Sequence, residues 1–233
     1  EIILTLKTDE LIQPPSITIA EQSATISDMG GGKWVATYAM QNGDSDGVIP
    51  FEVEGILDLY GNPNNGTSAT TDGSMVIFDN TKPELDIVRI ASNNQDSTWA
   101  KVGDMISINF IANELLISQS VNLNGQAMTI SDLGSEKYLA QYEMTNLDAE
   151  GQLSFEILIT DSVGLESDPI ITTSNSSQVI FDKTLPILNQ VNIQSNNQNN
   201  ASIAMTGDNV TLTFIPEEPL LTDSIVVTIA NEE

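Results

Sequence analysis

Apolar and polar residues alternate along several short segments of this chain. The clearest case is Ile106, Ile108 and Phe110, which are separated by polar neighbours. A period of two is expected of a half-buried β-strand, so the pattern predicts a strand here. The same reasoning predicts strands at Leu85, Ile87 and Ile90, at Val121 and Leu123, at Tyr138, Ala140 and Tyr142, at Phe155, Ile157 and Ile159, and at Gln178–Phe181.

Turn residues separate these segments. Asn124-Gly125 is a strong signal for a tight turn, and further turns are expected at 146–151 and 161–164. About seven short strands in roughly 100 residues, with turn chemistry between them and no convincing helix, are typical of an all-β fold. The pattern therefore favours a β-sandwich of immunoglobulin type over a barrel or a propeller.

The chain also repeats itself with a period of about 103 residues. VIFDNTKP at 76–83 returns as VIFDKTLP at 179–186, and ISDMGGGKWVATY at 26–38 returns as ISDLGSEKYLAQY at 130–142. Self-similarity at a fixed period indicates an array of similar modules. We call residues 1–80, 81–183 and 184–233 the first, second and third copies, and we predict tandem immunoglobulin-like sandwiches arranged end to end.

Only the second copy is expected to be a complete domain. The first copy begins at its second strand, and the third stops after about three strands, too few to close a two-layer core. We therefore expect the natural chain to continue beyond both termini. The alternative is that a neighbouring chain supplies the first strand by strand addition.

The copies agree on which side chains face inward. Ile106, Ile108 and Phe110 align with Ile2, Leu4 and Leu6 in the first copy and with Val210, Leu212 and Phe214 in the third. Trp34 aligns with Tyr138 and shares a strand face with Tyr38, so we predict that it belongs to the core rather than to a ligand platform.

Composition limits the chemistry of the chain. Its 33 acidic residues against 7 basic ones give a formal charge of −26, which disfavours nucleic acid and anionic membrane surfaces as partners. The absence of cysteine and histidine excludes thiol nucleophiles, imidazole bases and the usual zinc sites. No apolar run approaches the ~18–20 residues of a membrane-spanning helix, so direct membrane insertion is not expected.

Several segments resemble the bacterial immunoglobulin-like repeats of very large secreted adhesins and surface proteins. The resemblance covers essentially the whole chain and is carried by TTDGSMVIFDNTKP at 70–83, KWVATY at 33–38, the turn at 101–104 and the Asp-x-x-Gly turns at 58–61 and 161–164. It implies an extracellular, non-enzymatic spacer. In that family the Asp-x-x-Gly turn often continues with Asn, which Asn62 keeps and Leu165 does not.

The acidic residues are the remaining candidates for a binding site. Residues 42–47 and 146–151 both read N-x-D-x-[DE]-G, and alternating carboxylates ended by glycine suit calcium, which takes six to eight oxygens. A solvated turn is the alternative, because the stretch lacks the length and the closing glutamate of an EF-hand loop.

Sandwich topology predicts that these acids gather at the junctions between copies. At the first junction Asp44, Asp46 and Asp79 would face Glu114 and Asp161. At the second, Asp104, Asp148, Glu150 and Asp182 would face Glu217 and Glu218. Converging carboxylates repel one another unless a cation neutralises them, so we predict Ca²⁺ at both junctions. The alternative is a set of loosely solvated acids without a metal.

These observations predict a spacer in a giant extracellular repeat protein, stiffened by calcium and by prolines in its linkers. Its partners would be neighbouring repeats of the same chain. The alternatives are a module that binds cell-surface glycans or proteins, and part of a surface filament with lateral or strand-donating contacts between copies. A glycosidase would need two acids across a cleft, which no insertion here builds. Trp99 is the only exposed aromatic expected to suit a sugar.

Overall fold

Short strands and tight turns build this chain, and the computed structural model describes residues 1–220 and 225–229. Those residues contain no helix, so the fold is all-β as the alternation predicts. In consequence, no helix of the described chain is long and apolar enough to cross a membrane. The strands of the first copy are β1 (Ile2–Lys7), β2 (Ser16–Ile19), β3 (Gln22–Ser23), β4 (Thr25–Asp28), β5 (Lys33–Tyr38), β6 (Gly47–Val48), β7 (Phe51–Glu54) and β8 (Ile77–Phe78).

The second copy contains the same succession of strands with two added at its start. These strands are β9 (Leu85–Ser92), β10 (Trp99–Ala100), β11 (Met105–Ala112), β12 (Leu116–Leu123), β13 (Gln126–Ala127), β14 (Thr129–Gly134), β15 (Lys137–Glu143), β16 (Gly151–Gln152), β17 (Phe155–Asp161) and β18 (Ile180–Phe181). The third copy contributes β19 (Leu188–Ser195) and β20 (Val210–Pro216), which pair antiparallel.

Two sheets of the first copy enclose a hydrophobic core. β1 and β4 flank β5 in one sheet, and β3 and β7 flank β2 in the other. Their inward side chains form one cluster in which Trp34 is 7% exposed, as predicted for a core residue. The cluster contains Ile12, Ile17, Ile19, Trp34, Ala36, Val53 and Ile56, with Ile2, Leu4, Leu6, Ala24, Ile26, Tyr38, Ile49 and Phe51 packed against it.

The second copy has the matching sheets, and one of them carries an extra strand. Its order β14-β15-β11-β9 adds β9 beside β11, whereas β1, the counterpart of β11, is the last strand of its sheet. The predicted inward residues Ile106, Ile108 and Phe110 are at most 1% exposed. Asn124 and Gly125 have φ values of 47° and 80°, which confirms the tight turn between β12 and β13.

One predicted strand bound was wrong. The closing strand of the second copy is Ile180–Phe181 rather than Gln178–Phe181. The predicted strand at Val121 and Leu123 is confirmed as part of Leu116–Leu123. β14 lacks strong alternation because most of its side chains are exposed, and it was therefore not predicted as a strand. Short strands and exposed strands bury too few side chains to leave a period-two signal.

The described residues divide into two compact units. The first comprises Glu1–Ala91, Ser107–Tyr142 and Ser154–Gln178, and the second comprises Ser92–Ile106, Glu143–Leu153 and the described part of Val179–Glu233. Every named strand nevertheless pairs within its own sequence copy. The domain boundaries at 80/81 and 183/184 stay a prediction.

Candidate metal centre

Three carboxylates meet at the start of the second copy. Asp79 follows β8, Glu114 lies in the turn between β11 and β12, and Asp161 is the last residue of β17. One carboxylate oxygen from each lies within 4.8 Å of the other two. Among residues 1–220 and 225–229 this is the one such group of acids that could hold a metal ion. All three residues belong to the first compact unit.

Asp161 divides its two oxygens between different tasks. Its Oδ1 accepts hydrogen bonds from the amides of Val163, Gly164 and Leu165, at 2.8–2.9 Å. These bonds close the Asp-x-x-Gly turn, in which Gly164 has a φ of 94° that glycine adopts without strain. The side chain is 0% exposed, yet Oδ2 has no hydrogen-bond partner. A buried oxygen of this kind is costly unless another group, such as a cation, binds it.

The electrostatics of the group are unfavourable without a cation. Burial, followed by the charges of Asp79 and Asp161, raises the pKa of Glu114. Two like charges about 5 Å apart repel by roughly 3 kcal/mol at an effective dielectric constant of 20. The described chain has no salt bridge to these acids, since its one ion pair joins Lys82 Nζ to Asp168 at 2.6 Å. The arrangement therefore favours a positively charged ligand.

Asp44 and Asp46 lie outside this group of three. Asp44 accepts hydrogen bonds from the Tyr38 hydroxyl at 3.0 Å and from the Gln41 amide at 2.7 Å. Asp46 accepts hydrogen bonds from the amide of Asn80 at 2.8 Å and from the hydroxyl of Thr81. Both carboxylates thus fix a turn or the start of the linker, and a role as metal ligands stays a prediction for them.

The acids predicted at the second junction form no such group of three among the described residues. No three of Asp104, Asp148, Glu150, Asp182 and Glu217 gather within the 4.8 Å that joins the first group. Asp104 accepts hydrogen bonds from the Asn94 side chain and the Lys101 amide, and Asp182 accepts one from the Thr184 amide. Glu217 donates its amide to the carbonyl of Ile187. A metal role for these five acids stays a prediction.

At the turn formed by residues 146–151, where the sequence predicts bound calcium, the structure places the ammonium group of Lys183. Lys183 Nζ donates hydrogen bonds to the carbonyl oxygens of Asn146 and Asp148, at 3.1 and 2.8 Å. Glu150 Oε1 accepts from the Lys183 amide and the Thr184 hydroxyl, and these bonds, with the Thr184 hydroxyl first, lower the pKa of Glu150. Asn80 occupies the matching position in the first copy.

The unpartnered oxygen of Asp161 was not foreseen, although the sequence contains its cause. In the first copy Asp58 Oδ2 accepts a hydrogen bond of 2.5 Å from the Asn62 side chain. Leu165 replaces that asparagine in the second copy and cannot donate. The difference between Asn62 and Leu165 at matching positions of the two copies was thus the available signal.

Comparison with known proteins adds little beyond the all-β architecture. No protein-family model matches the chain, and no curated protein matches it. Among solved structures, SGBP-B of the Bacteroides ovatus mixed-linkage glucan utilization locus, in complex with a mixed-linkage heptasaccharide, is 17% identical with a TM-score of 0.24 over 83% of this chain. Fibronectin(III)-like modules of Clostridium thermocellum CbhA are 12% identical with a TM-score of 0.28, over 78% of this chain and 85% of theirs.

The match to SGBP-B extends over 44% of that protein, so this chain spans less than half of its length. Both likenesses have low identity and low TM-scores, and neither bears on what this chain binds. Trp99, the one aromatic expected to suit a sugar, is 45% exposed beside the short strand β18.

Proposed function

We propose that this chain is a structural segment of a larger extracellular repeat protein, and that calcium bound by Asp79, Glu114 and Asp161 ties its first two copies together. The proposal combines the internal repeat, the resemblance to adhesin repeats and the group of three acids. In this role the chain is a spacer rather than an enzyme, and its principal partners are neighbouring repeats.

The observation that carries the proposal is the unpartnered Oδ2 of Asp161. Exposed acids cluster on many proteins without a ligand, because water solvates them. Asp161 is 0% exposed, and its Oδ2 lacks a hydrogen-bond partner while it lies in a group of three carboxylates. A cation would satisfy that oxygen and offset the repulsion among the three acids in one step.

Calcium fits the donor set better than other common metals. Asp161 Oδ2 and the carboxylates of Asp79 and Glu114 offer between three and five hard oxygen ligands, and backbone carbonyls or water can complete the six to eight that Ca²⁺ takes. Softer metals prefer nitrogen or sulfur ligands, and this chain contains no histidine or cysteine. Mg²⁺ demands a smaller and more regular octahedron, so it serves as the comparison ion in experiments.

Bound calcium would restrict the linker because of where the three ligands lie in the sequence. Asp79 precedes the predicted boundary at 80/81, whereas Glu114 and Asp161 belong to the second copy. Asp46 already holds Asn80 and Thr81 by hydrogen bonds, and Pro83 follows with a fixed φ. A cation shared across this boundary would therefore hold the copies in one orientation.

Calcium titration of the full chain tests the site. We expect Asp161→Asn to weaken calcium binding at least about tenfold in isothermal titration calorimetry, because it removes one charged ligand. The asparagine keeps an acceptor at the Oδ1 position, so the turn can still close. The matched control is Asp58→Asn, which makes the same change in the turn of the first copy, outside the group of three acids. Equal losses in both variants would contradict the proposed site.

Small-angle X-ray scattering tests the mechanical role. If calcium fixes the linker, adding chelator will change the maximum dimension of the wild-type chain, and calcium will restore it. The Asp161→Asn variant should give the scattering profile of the chelator-treated wild-type chain, both with calcium and with chelator. Unchanged scattering, despite calcium binding in the calorimeter, would leave the site standing and reject the stiffening role.

A further inference from the structure

An apolar groove of about 600 Å³ runs along the first copy. It is lined by β1 through Ile2, Ile3 and Leu4, and by Ile19 of β2. Residues 48–51, 68–70 and 73–76 complete the lining. All of these residues lie in the first compact unit.

Several of the apolar residues that line this groove are more deeply buried at the matching positions of the second copy. Val76 is 50% exposed, whereas its counterpart Val179 is 0% exposed. Ile2 and Leu4 are only partly buried, whereas their counterparts Ile106 and Ile108 are 0% exposed. The sequences differ little at these positions, so what differs is the presence of a covering element.

That element in the second copy is β9. It lies beside β11, and its buried side chains Val88 and Ile90 are 3% and 4% exposed. Its other edge is held by the loop at 172–177. The Val88 amide donates to Ser174 Oγ at 3.1 Å and the Ile90 amide to Ser177 Oγ at 3.0 Å, while the Ser174 amide donates to the Val88 carbonyl at 2.9 Å.

The corresponding loop of the first copy already has the receiving conformation. Thr70 Oγ1 donates to the Ser74 carbonyl at 2.8 Å, as Thr173 Oγ1 does to the Ser177 carbonyl at 2.9 Å. The Ser74 amide donates to Asp72, as the Ser177 amide does to Asn175. Thr71 and Ser74 supply hydroxyl groups at the positions of Ser174 and Ser177.

We infer that this groove is the acceptor site for an extended β-strand with the residue pattern of Leu85–Ser92, bound antiparallel to β1. Its occupant is therefore the first strand of a repeat of this kind. Main-chain hydrogen bonds to β1 would extend the β1-β5-β4 sheet as β9 extends its counterpart, and two apolar side chains would fill the groove. This inference does not depend on calcium binding.

The pairing in the third copy gives the register. There Ser195 lies opposite Val210, Ile193 opposite Leu212 and Val191 opposite Phe214. Carried to the first copy by the sequence alignment, the counterparts of Ser92, Ile90 and Val88 lie opposite Ile2, Leu4 and Leu6. The backbone N–H and C=O groups of the even-numbered residues of β1 point toward β5. The hydrogen bond from the neighbouring Thr8 amide to the Gly32 carbonyl shows this direction. The odd-numbered backbone groups therefore face the groove.

A synthetic peptide of residues 83–94 tests the inference on the full chain. We expect saturable binding and a rise in the melting temperature of the chain as the peptide concentration increases. A control peptide carrying Val88→Asp and Ile90→Asp should not bind. In the chain, Val76→Asp should weaken binding about tenfold, because Val76 lines the groove at 50% exposure and its counterpart Val179 is buried. Met29→Asp, at a 60% exposed position outside the groove lining, is its matched control.

Cross-linking tests the register, since the chain has no cysteine of its own. The peptide with Ala91→Cys should be joined by a short thiol cross-linker to chain Ile3→Cys, and not to chain Lys7→Cys. Failure of the peptide to bind, equal binding of the control peptide, or equal cross-linking at both positions would overturn the inference. So would dimers of the chain that the peptide does not dissociate, because a second copy would then occupy the groove.

Discussion

The turns at Asp58–Asn62 and Asp161–Leu165 have the same backbone hydrogen-bonding pattern but differ in one side-chain contact. In both, the aspartate Oδ1 accepts amide hydrogen bonds from within the turn, and the aspartate amide donates to a carbonyl four residues later, at 3.0 Å. Asn62 binds the second oxygen of Asp58, whereas Leu165 leaves the second oxygen of Asp161 without a partner.

One type of turn can therefore serve two purposes. Where asparagine follows, the turn is satisfied by its own residues and needs no ligand. Where leucine follows, the aspartate keeps an unpartnered buried oxygen, and its carboxylate lies in a group with those of Asp79 and Glu114. A single exchange, combined with burial, thus separates a structural turn from a candidate cation site.

Removal of the Asp161 carboxylate should have the largest effect. In the presence of chelator, Asp161→Ala should unfold more easily than Asp161→Asn by about 2 kcal/mol, because alanine leaves three turn amides without their acceptor. Both variants remove the charge, so their difference isolates the hydrogen bonds. Urea unfolding measures it, and equal stabilities would show that Oδ1 does not hold the turn.

A smaller effect on stability is expected when the second turn receives the asparagine that the first turn has at this position. Leu165→Asn would offer Asp161 Oδ2 the donor that Asn62 gives Asp58. We expect the metal-free chain to gain about 1 kcal/mol of stability and the stabilisation by calcium to fall. Thermal melts with and without calcium measure both quantities. Leu165→Ala is the control, because it shortens the side chain without adding a donor, and it should not increase metal-free stability.

The alternation of residues was sufficient to predict the core. The inward positions of β11, β15 and β17, and the burial of Trp34, follow from a period of two. All three copies share this period at β11, and the first two copies share it at β15. The turn at Asn124-Gly125 follows from local chemistry, since both residues have positive φ. These features depend on neighbours in sequence, which is why the sequence alone specifies them.

The candidate site could be predicted only in part. That Asp79 would approach Glu114 and Asp161 followed from topology, and the structure places the three together. The unpartnered oxygen depends on burial and on a missing donor, and neither is visible in a charge pattern. Likewise, the contact of Lys183 Nζ with the Asn146 and Asp148 carbonyls joins residues more than thirty positions apart. Such contacts require the folded chain.

The smallest effect on stability should come from Asn62→Leu, which gives the first turn the leucine of the second. The Asn62 side chain, followed by its amide, lowers the pKa of Asp58. A lowered folded-state pKa contributes stability above about pH 4 that is lost as the pH falls through the folded value. Asn62→Leu should therefore cost stability at pH 7 and progressively less below about pH 4. Urea midpoints across this range, with NMR titration of Asp58, provide the measurement, and a pH-independent difference would mean that the contact does not act through the ionised carboxylate.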